Sequence, residues 1–189
     1  MVFNHGAPRG NTRGQNATDA QRYVGRTRVS VTTAEATTIR NDITVTHAAT
    51  VFQGQTLLAW WDNGANQTLA DYYNTVASPV VLMWRPNVNR RELINTLVGS
   101  EYTAATAAAR SLLDAITKDP LIDTTIAQVR ANFALAAGAT TQANWTVVAR
   151  QNATNLEALF AGAPVSGAVV STRFGNPVTS SDIAFARTV

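Results

Sequence analysis

Arginine carries most of the chemistry that can be read from this chain. Arg9, Arg13, Arg22, Arg26 and Arg28 stand within the first thirty residues among Gly, Asn, Thr and Gln, with Asp19 the only acid there. A guanidinium presents a planar fork of donors that grips phosphate bidentately and stays charged at any working pH. Five arginines less one aspartate leave +4 on this stretch against +3 for the whole chain, so the remainder sums to −1. A near-neutral body with a cationic arm is the layout expected of a protein that holds nucleic acid while packing against copies of itself. Five neutralised phosphates imply a log–log salt slope of about −3.5 on a single strand. Lys118 is the only lysine beside fourteen arginines. A GC-rich genome produces the same bias, and one sequence does not separate the two causes.

Acid–base catalysis has little to work with. Four glutamates, eight aspartates and two histidines are scattered without a tight cluster. His5 lies in the arm, and His47 falls on the apolar side of an alternating run, where a satisfied core histidine is the expectation. Asp114, Asp119 and Asp123 are close in sequence, but their placement suits helix capping and solvated faces. The Gly-x-Ser-x-Gly elbow, Gly-x-Gly-x-x-Gly and the Walker phosphate loop are absent, as is His-x-x-x-His spacing. There is no cysteine, so no disulfide, thiolate nucleophile or cysteine-ligated zinc is possible. The expectation is a protein that is not an enzyme, with no metal, cofactor or small-molecule substrate.

The elements that must position these residues follow from composition and periodicity. At 189 residues the chain makes one domain with extensions, 46% apolar but only 14% charged. A surface covered by Thr, Asn, Gln, Ser and Ala is weakly repelled from other protein surface, which favours assembly. Residues 1–6 lack a charged start followed by an apolar run, so no secretion signal is expected. No uninterrupted apolar stretch reaches the roughly eighteen residues of a membrane span.

Residues 1–26 read as a basic extended arm, 27–162 as a single domain, and 163–189 as an extension. Alternation over Thr27–Thr33 and Ile43–Val51 predicts strands, with Arg28, Thr44 and Thr46 on the polar face. Leu57–Trp61, closed by Asp62-Asn63-Gly64, reads as a third strand, Tyr72–Val76 as a weaker one, and Pro79–Trp84 as a last one. After residue 86 the period changes to that of a helix. Asn89 and Glu92 have capping-box spacing, and Gly99 suits a left-handed stop. A helix is expected over 101–117, another restarting at Asp119-Pro120 and running to Gly138, and a last one over 142–161. The predicted class is therefore α+β: an arm and antiparallel hairpins over about 27–85, three or four helices over about 89–161, and an extended carboxyl-terminal tail. That tail holds Val169, Val170, Phe174, Ile183 and Phe185, too many apolar residues for solvent, so it docks on the core or on a neighbouring subunit. Trp60 and Trp61, adjacent on a strand, would point to opposite faces. One would then be core and the other would face a subunit interface or stack on RNA bases, with the interface favoured because no basic residue interleaves there.

Three segments resemble the coat proteins of single-stranded RNA bacteriophages. Ile43–His47 followed by Leu57–Asp62 resembles that family's paired central strands. Pro79–Pro86 resembles its last strand and turn, and Arg110–Phe133 its two closing helices. Together these segments span about a third of the chain, which departs from the pattern in its longer helical stretch over 89–109 and in continuing more than fifty residues past the second helix. A weaker resemblance is to rod-shaped plant virus coats, through Glu92–Asn95, Ala109-Arg110, Asp119–Leu121 and Thr146–Arg150. The resemblances imply a viral coat protein that self-assembles, through dimers in the phage-like case, around a single-stranded RNA genome. Virion localisation, assembly in the host cytoplasm and absence of membrane contact go with them. Arg9, Arg13, Arg22, Arg26, Arg28, Thr44 and Thr46 would then hold RNA. Trp60, Trp61, Leu112, Leu113, Ile126, Phe133, Phe174 and Phe185 would form subunit interfaces. A rod or filament coat, a tail or sheath subunit without nucleic acid, and a small hydrolase stand as alternatives.

Overall fold

A computed structural model describes residues 30–161 and 167–189. Among the described residues there are ten α-helices, one π-helix and six strands of two or three residues each. The expected antiparallel sheet before the helices is therefore wrong: the chain is helix-dominated from its first described element to its last.

The reason lies in spacing that two readings share. Ala36, Ile39 and Ile43 follow the i, i+3, i+7 rule of a helix face, and all three are fully buried. Helix α1 (Thr33–Asn41) begins at a reciprocal capping box in which Thr32 and Glu35 satisfy each other's backbone N–H groups. It runs into the π-helix Asp42–Thr46, where the His47 N–H donates to the Asp42 carbonyl at 2.7 Å. Ile43 is therefore in the core while Val45 is 74% exposed, although strand alternation would have placed them on one face. Val51–Phe52 (β1) and Gln55–Thr56 (β2) make a minimal hairpin, its turn formed by Gln53 and Gly54, both at positive φ. Leu57–Asp62 is helix α2, opened by the Thr56 hydroxyl, and Asn66–Asn74 is helix α3.

The middle of the chain is more broken than its periodicity suggests. Leu82–Trp84 (β3) precedes Val88–Asn89 (β4), and Asn89 caps α4 (Arg90–Asn95) by accepting from the Arg91 N–H. Glu92, however, pairs with Arg85 at 2.9 Å. Gly99 opens α5 (Gly99–Ala104) rather than closing a helix, and Thr106 caps a separate α6 (Ala107–Ile116). Leu121–Ile122 (β5) pairs antiparallel with β4, so the restart at Asp119-Pro120 is a strand, and α7 (Ala127–Ala136) follows later. The long last helix is split into α8 (Ala139–Val148), β6 (Arg150–Asn152) and α9 (Asn155–Leu159), with a capping box at Thr154 and Glu157. The carboxyl-terminal segment is not wholly extended: Ser180–Ala186 forms α10, capped by Thr179 and Asp182.

Two apolar cores hold these elements. The first gathers Ile39, Ile43, Leu57, Leu69, Tyr73, Leu156 and Ile183, so α9 and α10 pack on the amino-terminal helices. The second surrounds Trp145, which is fully buried, donates from its indole to the Leu93 carbonyl at 3.0 Å and meets Phe133 edge-on at 4.9 Å. Met83, Ala153 and Phe174 form a third, smaller cluster. Strand β3 pairs antiparallel with β6, and a parallel bridge joins Met83 to Val169. The described part of the tail is thereby stitched to its own chain. Thr124, fully buried, ties three segments through its hydroxyl bonds to the Arg85 and Ala149 carbonyls.

Candidate functional site

The five arm arginines, Arg9, Arg13, Arg22, Arg26 and Arg28, lie outside the described residues. Thr44 and Thr46 are on the π-helix and not on a strand face: the Thr44 hydroxyl turns back to the Arg40 carbonyl at 2.8 Å, and Thr46 is exposed. The segments quoted for the phage-coat resemblance do not pair as strands, since Ile43–Thr46 and Leu57–Asp62 are helical and β3 pairs with β6.

Trp60 and Trp61 are neighbours on α2, about 100° apart on a helix rather than on opposite faces. Both pack partly against the first core. The Trp60 indole donates to the Phe52 carbonyl at 2.8 Å, and the Arg187 guanidinium lies 4.1 Å from the Trp61 ring centre. Leu113, Phe133 and Phe174 fill the chain's own cores and do not reach its surface.

Leu112 and Ile126 come together. With Ile116, Leu121 and Val129 they line an apolar groove of about 370 Å³ between α6, β5 and α7. Leu121 is 56% exposed and Ile126 50%. Asp119, Asp123 and Asn132 edge the same groove, giving an apolar floor with a polar rim. An apolar floor inside a polar rim is the composition common to protein contacts. Phe185, 38% exposed on α10, lies on another part of the fold.

The sequence reading missed a second centre. Asp42, 4% exposed, accepts from the Tyr73 hydroxyl at 2.8 Å and lies 2.6 Å from His47 Nδ1. Burial first, and then the Asp42 charge, push the Tyr73 hydroxyl well above its ordinary range, so it remains a donor. His47 is half-exposed and lines a cavity of about 500 Å³ with Thr46, Thr50, Tyr72 and Pro79. A carboxylate-oriented imidazole can act as a general base, and π-helical turns recur at functional sites. Among the described residues, however, no hydroxyl is hydrogen-bonded to His47, and no group of three or more His, Asp or Glu residues could hold a metal. Strand alternation placed His47 facing the core. The i→i+5 turn instead brings it back over Asp42.

Among the described residues no helix is long and apolar enough to cross a membrane. Comparison with family models, known proteins and solved structures finds no match to this chain.

Proposed function

We propose that the chain is a coat-type structural subunit that assembles with many copies of itself around single-stranded RNA in a virion formed in the host cytoplasm. The observation that carries this reading is the groove between α6 and α7, where Leu121 and Ile126 stand half or more exposed among apolar neighbours. Burying such a patch removes apolar surface from water at about 25 cal/mol per Å² and needs no charged partner. The five arginines of the arm supply the phosphate-neutralising charge, and with 14% of residues charged the body repels its own kind weakly.

The shell in which a sheet faces the genome and helices interlock across a dimer is withdrawn, because the described residues form only two-stranded pairings and no such sheet. The proposal keeps the assembly and the cargo without that geometry. The Asp42–His47–Tyr73 cluster is given a structural role, fastening the π-helix to α3. Electron microscopy of the full chain, purified without nuclease, tests the proposal together with nuclease digestion of any polymer that travels with it. Shells or filaments holding ribonuclease-sensitive material support the proposal. Assemblies free of polynucleotide would leave a tail- or sheath-type subunit instead, and a monodisperse single subunit would overturn both.

A further inference from the structure

Arg90, Arg91 and Lys118 line one hollow of about 620 Å³, whose wall is completed by Asn89, Asn95, Glu92 and Pro120. Lys118, the only lysine of the chain, is far along the sequence from the arginine pair. Backbone pairing brings them together. Strands β4 and β5 run antiparallel with Asn89 across from Leu121, and the Arg90 N–H donates to the Pro120 carbonyl at 3.0 Å. The Arg90 guanidinium also reaches the Thr117 carbonyl at 3.4 Å. The start of α4 and the turn that carries Lys118 are thereby fixed against each other.

Charge sets this hollow apart. Glu92, the acid in the described wall, is engaged at 2.9 Å by Arg85, which is not part of that wall. Asp119, beside Lys118 in sequence, lines the α6–α7 groove instead. Among the described residues the side chains of Arg91 and Lys118 have no ion-pair or hydrogen-bond partner. Other arginines of the body serve the fold: Arg173 meets Glu35 at 3.4 Å, and Arg187 donates to Asn66 at 2.6 Å while lying over Trp61. The chain beyond the arm sums to −1, so three cations lining one hollow are a local concentration and not a general excess of base.

Nothing in the core requires them, for Arg90, Arg91 and Lys118 are all exposed. A single carboxylate in such open solvent gains little from them. A nucleic-acid strand gains more, because each phosphate neutralised releases counterions condensed on the strand. Pro120 is the apolar residue of the described wall, which leaves little for the apolar anchor of a protein partner. The Asn89 and Asn95 amides add neutral donors suited to phosphate and sugar oxygens.

We propose that the hollow between α4 and the Lys118 turn binds the phosphodiester backbone of single-stranded RNA, with Arg90, Arg91 and Lys118 each meeting a phosphate. The site deepens the coat reading, on which it rests for the identity of the polyanion, and gives the genome a contact on the folded body apart from the arm.

Lys118 supplies the probe, being the only lysine. The full chain is acetylated with an amine-reactive ester, with and without a poly-uridylate oligonucleotide, and the products are mapped by mass spectrometry. With RNA at ten times its Kd, acetylation of Lys118 should slow about tenfold. Polyglutamate of matched charge should not reproduce the effect. Replacing the three cations together (Arg90→Gln, Arg91→Gln and Lys118→Gln) should lower the log–log salt slope of oligonucleotide binding by about 2, at roughly 0.7 for each phosphate. Should that variant fail to fold, shielding of Lys118 in the wild-type chain decides. Lys118 equally reactive while the oligonucleotide binds would overturn the site and leave the coat reading standing. Shielding in a chain that forms no assembly would support the site and sink the coat reading. Shielding that polyglutamate reproduces, or an unchanged slope in the folded variant, would overturn the site, and an oligonucleotide that does not bind at all would overturn both.

Discussion

Trp84 and Arg150 are direct partners in the β3–β6 ladder, and the guanidinium of one rests 4.7 Å from the ring centre of the other. A cross-strand pair thus carries both a backbone register and a cation–π contact. Trp84 is 3% exposed and belongs to the second core. Trp84→Ala should lower stability by about 3–5 kcal/mol, the usual range for a buried aromatic. Chemical denaturation measures it, and a change below about 1 kcal/mol would show that the ring does not hold this core.

Glu35 has two tasks, one for each carboxylate oxygen. Its carboxylate completes the Thr32 capping box and also meets Arg173, which is 3% exposed. Removing it takes away a cap and leaves a buried cation without its counter-charge. Glu35→Ala should therefore cost about 3–5 kcal/mol, well above the ~1 kcal/mol of an ordinary cap. The double variant Glu35→Ala with Arg173→Met should recover much of that loss in the same denaturation experiment. Additive losses would show that the two side chains are not coupled.

Such capping boxes explain much of what could be read from the sequence and what could not. Thr32-x-x-Glu35, Thr154-x-x-Glu157 and Thr179-x-x-Asp182 each open a helix and were visible as spacing. The sequence reading singled out only Asn89 and Glu92, and took Thr27–Thr33 and Ile43–Val51 as strands, because β-branched alternation suits a strand as well as the buried positions suit a helix. The second lies inside what periodicity read as one helix, because β6 between α8 and α9 is set by pairing with β3 seventy residues earlier, which no local pattern encodes. The third turns part of the tail into a helix that packs on the first core. Of the candidate interface residues, Leu112 and Ile126 line the groove between α6 and α7. Leu113, the next residue after Leu112, and Phe133, about two turns beyond Ile126, fill the core.

Glu101 makes stability depend on acid pH. Its two oxygens accept from the Thr140 and Thr141 N–H groups at the start of α8, both at 2.9 Å. Hydrogen bonds from the Thr141 hydroxyl first, then from the Thr141 and Thr140 amides, hold its carboxyl at about 2, below the ordinary 4.5. A depressed value means the folded state prefers the carboxylate. The contribution is complete above pH 4.5 and is lost as the pH falls through about 2. Glu101→Gln should flatten the stability profile across that window while changing little of its shape at neutral pH. Gly138→Ala should do the same, because a Cβ there would stand 2.5 Å from the Glu101 carboxyl carbon. An unchanged acid limb in both variants would remove Glu101 from the account.

The arm arginines have a quantitative signature. Replacing Arg9, Arg13, Arg22, Arg26 and Arg28 by glutamine should reduce the log–log salt slope of single-stranded RNA binding by about 3.5. The fold, read by circular dichroism, should be unaffected. Equal slopes before and after would assign the arm to contacts between subunits.

Sedimentation velocity of the wild-type chain beside Leu121→Glu with Ile126→Glu tests the central claim most directly. Wild-type protein should sediment as a large assembly, and the double variant as a folded 20.2 kDa subunit, because two carboxylates now lie in the α6–α7 groove. A wild-type chain that already sediments as a single subunit, without polynucleotide and at physiological ionic strength, would contradict the account.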